Sequence, residues 1–195
     1  MTGTNSTTGA GVTPGTGVAT GAIGRPLWLP FLGLTAVVVA LDQLAKAWLV
    51  SILRPGESQP VIDDLLRLVN SQNNGGLFGL LRGQALPFAA LSLVVIGLIV
   101  LYHARSGRSA YLTLTLGLLL GGAIGNLVDR VRLGYVVDFV DAGIGSLRWY
   151  TFNVADAAIS FAILLLIAAS LRPALTAWDP GRRAPDAPAG ASEDG

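Results

Sequence analysis

Cysteine is absent from this chain of 195 residues, and histidine occurs only once, at His103. The lack of cysteine excludes disulfide bonds, thiol nucleophiles and thiolate metal sites. With a single histidine, a Ser-His-Asp triad or a zinc site would need His103 itself to lie at the site. We therefore expect no metal and no cofactor.

Charge is also scarce. Charged residues make up 13% of the chain, against roughly 25% in soluble domains, while 52% of the residues are hydrophobic and the mean hydropathy is +0.60. The net charge of +1 gives no electrostatic reason to expect binding to nucleic acid. This composition indicates a membrane protein.

Four long apolar segments hold most of the hydrophobic residues. They cover 26–53, 85–104, 110–128 and 152–171. Each has about the 20 residues that a helix needs to cross a hydrocarbon core of ~30 Å. Helices satisfy their own backbone hydrogen bonds in lipid, and the segments lack the polar outer faces of a soluble bundle. The sequence predicts an all-α membrane protein with four transmembrane helices.

The two ends of the chain differ from the apolar centre. Residues 1–24 are rich in Gly and Thr, and residues 173–195 are rich in Pro, Gly and charge, so we expect both tails to be disordered. The first tail also lacks the basic start and early apolar core of a cleavable signal peptide. The membrane domain is therefore predicted to cover 25–172.

An even number of crossings divides the loops between the two sides of the membrane. The long loops 54–84 and 129–151 share one side, and the tails and the short loop 105–109 share the other. Six arginines fall on each side, so their number does not assign the orientation, although their density favours the short loop as cytoplasmic. His103 falls opposite the long loops, which excludes a histidine triad or zinc site there.

Ionisable residues inside a membrane helix are costly and are therefore functional candidates. Asp42 and Lys46 are four residues apart on one face of the first helix. They form either an ion pair that joins helices or a direct contact to substrate, and the sequence does not choose between these. Asp129 precedes Arg130, and an arginine-paired or capping role competes with a functional one.

Two Asn-x-x-Asp patterns lie where the third helix ends and the fourth begins. Asn126 and Asp129 form one, Asn153 and Asp156 the other, and Asp138 lies between them in the apolar stretch GYVVDFV. Residues three apart share a helix face. Two carboxylates that converge in a poorly hydrated site share a proton. One can then take a proton from water while the other donates to a carbonyl oxygen, which is the aspartic route to amide hydrolysis.

Five short motifs occur in order along the chain. They read DQLAK at 42–46, NNGGLF at 73–78, GNLVDR at 125–130, VDF at 137–139 and FNVAD at 152–156. Together they make residues 30–171 resemble the lipoprotein signal peptidases, the bacterial signal peptidase II family. Any one motif alone is weak, but five at matching spacing are specific.

The resemblance implies an aspartic endopeptidase of the bacterial cytoplasmic membrane. Such an enzyme removes signal peptides from lipid-modified prolipoproteins, cleaving before a diacylglyceryl-modified cysteine, with membrane lipids around it. By the resemblance, Asp138 and Asp156 are the catalytic pair. The supporting positions that it implies are Asp42, Lys46, Asn73, Gly75, Asn126, Asp129, Arg130 and Asn153.

The resemblance also implies an orientation and an additional fold element. Both termini are expected in the cytoplasm and the active site near the extracytoplasmic face, where loops 54–84 and 129–151 form a small β-element. The chain departs from the family pattern at three positions. Gly76 and Leu77 stand in place of two alanines, and Ala45 stands in place of a hydroxyl residue.

Two other functions are compatible with the polar residues alone. A proton-coupled transporter also carries intramembrane Asp and Lys, but transporters of this kind usually contain repeated halves, and we find no internal repeat here. A structural membrane subunit would pair each aspartate with an arginine. The aspartic peptidase remains the preferred hypothesis.

Overall fold

Four helices account for most of the fold. A computed structural model describes residues 25–75, 85–106 and 108–176, in which the helices are α1 (Trp28–Ile52), α2 (Ala85–Ser106), α3 (Ala110–Leu133) and α4 (Val154–Leu171). All four are long and apolar enough to cross a membrane, which confirms the prediction of four helices of membrane-spanning length. The predicted tails lie outside the described residues, except for a 3-10 turn at Pro173–Leu175. Gly76 and Leu77 also lie outside them.

A small antiparallel sheet accompanies the helices, as expected. Its strands are β1 (Ser58–Ile62) and β2 (Leu66–Asn73), which follow α1 in the chain, and β3 (Val136–Ile144) and β4 (Leu147–Arg148), which follow α3. Their order in space is the same as in the sequence. Since β2 and β3 pair directly, the sheet joins the segment after α1 to the segment after α3.

Helix α3 is longer than the sequence predicted. It continues to Leu133, so the expectation that a loop begins at residue 129 is wrong. The buried side chain of Asp129 finds partners inside the bundle, and arginines in the last turn are favourable at the negative end of the helix dipole. Gly134 then ends the helix with φ +78°, a left-handed conformation that glycine adopts without steric cost.

Helix α3 packs closely against both α1 and α4 because glycines line its buried faces. A Cβ atom at Gly121 would lie 2.6 Å from Cβ of Val38 on α1, and one at Gly122 would lie 2.6 Å from Cγ1 of Ile159 on α4. Small residues let helix backbones approach in a membrane, where no hydrophobic effect drives the helices together. The central position of α3 brings polar residues from three helices to one end of the bundle.

An irregularity in β2 sets which side chains face the site. Leu68 pairs with Val140 but Ser71 pairs with Asp138, so β2 contains one extra residue between these pairs. A bulge of this kind shifts the alternation of side chains between the two faces. As a result Asn73 lies on the same face as Asp138 and can contact it.

Candidate active site

Asp138 lies in β3 and its side chain is almost completely buried, with 1% exposed. Nδ2 of Asn73 donates to its Oδ2 at 3.0 Å, and Nδ2 of Asn153 donates to its Oδ1 at 2.7 Å. Each carboxylate oxygen therefore has an amide donor. Among the residues that the structure describes, no cation forms a salt bridge with Asp138, and such burial makes this carboxyl a candidate for acid–base chemistry.

Asp156 lies in the first turn of α4 and takes part in the helix cap. The side chain of Asn153 accepts from the backbone N–H of Asp156 at 2.9 Å, and the backbone N–H of Asn153 donates to Oδ2 of Asp156 at 3.4 Å. This reciprocal arrangement is a capping box, which satisfies backbone donors at the helix start. Oδ1 of Asp156 accepts from Nδ2 of Asn126 at 2.7 Å.

One residue links the two aspartates. Asn153 donates to Asp138 through its side chain and shares the capping box with Asp156. Its Nδ2 also donates to Oδ1 of Asn126 at 3.1 Å, and Asn126 in turn donates to Asp156. The two carboxyl groups thus belong to a single hydrogen-bonded network of side-chain amides.

Burial strongly perturbs the protonation of Asp138. The pKa of this carboxyl is raised from 3.8 to about 7, mainly because burial penalises its charged form and secondly because the carboxylate of Asp156 is close. Hydrogen bonds from Asn73 and Asn153 and the charge of Lys46 oppose the rise only in part. Asp138 therefore carries a proton at pH values where an exposed aspartate is ionised.

A buried ion-pair cluster lies beside the two aspartates. Nζ of Lys46 lies 2.7 Å from Oδ2 of Asp42 and 2.8 Å from Oδ2 of Asp129, and all three side chains are at most 4% exposed. Of the two interpretations of Asp42 and Lys46, the contacts match the ion pair that joins helices, since Asp129 belongs to α3. Lys46 also donates to Oδ1 of Asn126 at 3.3 Å, which connects the cluster to the amide network.

The two carboxylates of this cluster hold the backbone next to Asp138 and Asp156. Oδ2 of Asp129 accepts from the N–H of Val137 at 3.1 Å, one residue before Asp138. Oδ1 of Asp42 accepts from the N–H of Ala155 at 2.9 Å, one residue before Asp156. The cluster thus anchors both elements that carry the candidate site.

The expected alternative that Asp129 pairs with Arg130 is wrong. Asp129 pairs with Lys46, which lies more than eighty positions earlier in the chain and was not apparent from local sequence. Nη1 of Arg130 instead donates to the backbone oxygen of Asn126 at 3.1 Å, and its guanidinium lies 5.8 Å from the ring centroid of Phe88. Gly75 donates its N–H to Oδ1 of Asn73 at 3.2 Å, which orients that amide.

Sequence reasoning missed two groups of polar residues. Gln43 lies within the first motif and contacts both carboxylates of the cluster, but an uncharged amide at one helix position gives no signal of its own. Arg148 and Asp141 form an ion pair of 2.7 Å that ties β4 to β3. In the described part of the chain, the side chains of this pair make no hydrogen bond to Asp138 or Asp156.

His103 lies away from these residues, as expected. Its ring is fully buried and stacks on Phe31 with 3.9 Å between ring centroids, while Trp28 meets it edge-on. Both aromatic residues come from the first turn of α1, whereas Asp42 and Lys46 lie in its second half. His103 therefore contributes to helix packing rather than to the candidate site.

These features define a class of protein: a multi-pass membrane protein with a buried, carboxylate-containing site at one end of its helices. A family model described as signal peptidase (SPase) II matches residues 34–172, and the chain belongs to this family. It is therefore a peptidase.

Individual relatives agree with the family match. The chain is 42% identical over 147 residues to the lipoprotein signal peptidase of Moorella thermoacetica, covering 75% of this chain and 95% of the relative. It is 40% identical over 131 residues to that of Halothermothrix orenii, covering 67% and 88%. A solved structure described as a bacterial membrane enzyme at 2.3 Å has a TM-score of 0.71 and 27% identity, covering 77% of this chain and 92% of that one.

Proposed function

We propose that the chain is an aspartic endopeptidase that removes signal peptides from diacylglyceryl-modified prolipoproteins, cleaving before the lipidated cysteine. The observation that carries the catalytic type is the shared network of Asp138 and Asp156, in which Asn153 contacts both. The substrate class rests on the relatives, which are lipoprotein signal peptidases. A carboxyl pair at the end of a helix bundle also suits a scissile bond close to a lipid anchor.

The raised pKa of Asp138 supports a division of roles between the two carboxyl groups. Asp138, with its pKa raised to about 7, is the general acid that donates its proton to the carbonyl oxygen of the scissile amide. Asp156 is the general base that removes a proton from the attacking water. The water oxygen bonds to the carbonyl carbon and gives a tetrahedral gem-diol. The carbon–nitrogen bond then breaks as the departing amine takes the proton held by Asp156. One hydroxyl of the gem-diol returns a proton to Asp138, which leaves a carboxylic acid and restores both aspartates.

The supporting residues act by positioning. Asn73 and Asn153 orient the carboxyl of Asp138, and Asn126 orients that of Asp156. Lys46 compensates Asp42 and Asp129, which hold the adjoining backbone. Holding reacting groups in place reduces the entropy lost on reaching the transition state.

The proposed orientation follows from the function. Both termini lie in the cytoplasm of a bacterium, and the site faces the extracytoplasmic side of the inner membrane, where exported prolipoproteins emerge. A reporter that fluoresces only in the cytoplasm, fused after residue 195, should fluoresce. A dark fusion of normal abundance would contradict this orientation.

The direct test is cleavage of a lipidated prolipoprotein by the purified chain in detergent. Wild-type protein should release the signal peptide, and Asp138→Asn should not, while its thermal unfolding remains cooperative. Asp63→Asn is the matched control, since Asp63 is exposed and its φ of +38° suits asparagine. Full cleavage by a folded Asp138→Asn protein would refute the proposal.

A further inference from the structure

The side chain of Gln43 forms hydrogen bonds to several groups beside the two candidate catalytic aspartates. Its Nε2 donates to Oδ1 of Asp129 at 3.0 Å, to Oδ2 of Asp42 at 3.2 Å and to the backbone oxygen of Gly125 at 3.3 Å. Its Oε1 accepts from Nη1 of Arg132 at 3.4 Å. The arginine therefore fixes which end of the amide faces the carboxylates.

The contacts of Gln43 differ from those of Lys46. Lys46 approaches Oδ2 of both Asp42 and Asp129. Gln43 adds a donor to Oδ1 of Asp129, the oxygen that Lys46 does not contact. A carboxylate held by one oxygen can rotate about its Cβ–Cγ bond, whereas donors on both oxygens fix its plane. With its plane fixed, Asp129 keeps Oδ2 aimed at the N–H of Val137.

The positions of Asp42 and Asp129 also determine the positions of the backbone segments that they contact. Asp129 holds the backbone one residue before Asp138, and Asp42 holds the backbone one residue before Asp156. Strand β3 and helix α4 are regular elements, so the spacing between Asp42 and Asp129 is transmitted to the two aspartates. Gln43 is the neutral side chain that donates to both members of this like-charged pair.

We infer that Gln43 is a positioning residue: by holding Asp42 and Asp129 together, it sets the separation of Asp138 and Asp156. The inference rests on the proposed function, because the separation matters for catalysis only if these aspartates act as a pair. Gln43 contacts neither of them directly. Its effect passes through Asp42 and Asp129.

The test is Gln43→Met, which keeps the length of the side chain and removes both hydrogen-bonding atoms. With a lipidated prolipoprotein as substrate, kcat should fall about 10- to 100-fold with KM unchanged, because small displacements of reacting groups cost rate rather than binding. Gln59→Met, at an exposed position of β1, is the matched control and should keep wild-type kcat. Gln43→Asn keeps an amide that is one methylene shorter, and we expect a smaller fall.

Two further readouts separate positioning from simple stability. The upper pH limit of kcat should move to lower pH in Gln43→Met, because a wider separation weakens the influence of Asp156 on Asp138. Since the chain has no cysteine, spin labels can be placed on Ile144→Cys of β3 and Leu164→Cys of α4, both exposed. The distance distribution between them should broaden in Gln43→Met and stay narrow in Gln59→Met.

The outcomes distinguish this inference from the proposed function. Wild-type kcat and an unchanged distance distribution in Gln43→Met would overturn the role of Gln43 and leave the aspartic peptidase intact. A wild-type chain that fails to cleave, or a folded Asp138→Asn chain that cleaves fully, would instead overturn the proposed function. A lower yield of folded Gln43→Met with normal kcat per folded molecule would also count against positioning.

Discussion

Asn153 caps the helix that carries Asp156 and, through the same side chain, donates a hydrogen bond of 2.7 Å to Asp138. Its side chain is completely buried. The same amide side chain thus caps α4 and orients the carboxyl group of Asp138 on β3. This combination ties the position of one carboxyl group to that of the other.

Substitutions of Asn153 should separate its effect on stability, through the helix cap, from its effect on activity, through Asp138. Asn153→Ala loses the cap, which costs about 1 kcal/mol of stability, and also loses the donor to Asp138. Asn153→Ser keeps a capping oxygen but is too short to donate to Asp138. We expect both variants to lose about 10²-fold in kcat, with only Asn153→Ala destabilised, as measured by thermal unfolding in detergent and by cleavage rates. Normal activity in Asn153→Ser would show that the contact to Asp138 is dispensable.

The dependence of cleavage on pH should follow the protonation of Asp138. Because the pKa of this carboxyl is raised from 3.8 to about 7, it keeps its proton up to neutral pH and loses it above. An enzyme that uses it as an acid therefore loses kcat/KM as the pH rises past about 7, and the profile reports the free enzyme. Activity that keeps rising to pH 9 would contradict this assignment.

The same pKa predicts how stability changes with pH. A carboxyl group whose pKa is higher in the folded protein than in the unfolded chain contributes stability that is fully present below pH 3.8 and is lost as the pH rises through about 7. Asp138→Asn cannot ionise, so its stability should fall less than that of the wild type between pH 4 and 7. Denaturant unfolding at several pH values measures this difference, and parallel curves would contradict it.

Close packing of α3 against α1 should be sensitive to volume. Gly121→Val adds a Cβ that would lie 2.6 Å from Cβ of Val38, so we expect a loss of about 1–3 kcal/mol of stability, typical of overpacking. Gly97→Ala is the control, because an added Cβ there would have within 4 Å no atom of the described residues outside its own stretch of α2. Thermal unfolding in detergent compares the two, and equal melting temperatures would show that α1 and α3 approach less closely than described.

The buried cation at Lys46 should be essential to the fold as well as to activity. Lys46→Met leaves Asp42 and Asp129 buried together without compensation, and removing one partner of a buried ion pair costs about 3–5 kcal/mol. Lys46→Met combined with Asp42→Asn and Asp129→Asn should recover part of this stability. Unfolding of the single and triple variants checks the prediction, and a single variant of wild-type stability would contradict it.

Much of this architecture could be predicted from sequence because apolar segments and isolated charges are strong signals in a membrane protein. Four helices followed from segment length. Asp138 stood out because no basic residue adjoins it, and Asp156 because it lies about one turn inside its helix. Their spacing of four placed Asp42 and Lys46 on one helix face, but it left an ion pair and a contact to substrate as alternatives. These features depend on local pattern alone.

The remaining features depend on contacts between distant parts of the chain. The partner of Asp129 is Lys46 rather than its neighbour Arg130, and only the packing of α1 against α3 determines this. The bulge in β2 moves Asn73 to the face of Asp138, which the simple alternation of a strand does not predict. Gln43 gave no signal because an uncharged amide is unremarkable until its neighbours are known.

The most direct test of the paired aspartates is single-turnover cleavage of a lipidated prolipoprotein by wild-type protein, Asp138→Asn, Asp156→Asn and the double variant. Residues that act as one catalytic unit are strongly non-additive, so each single change should remove about as much rate as both together. If the rate loss of the double variant, relative to wild type, equals the product of the two single losses, the two aspartates act independently and the paired mechanism is contradicted. Substantial cleavage by either folded single variant would contradict it as well.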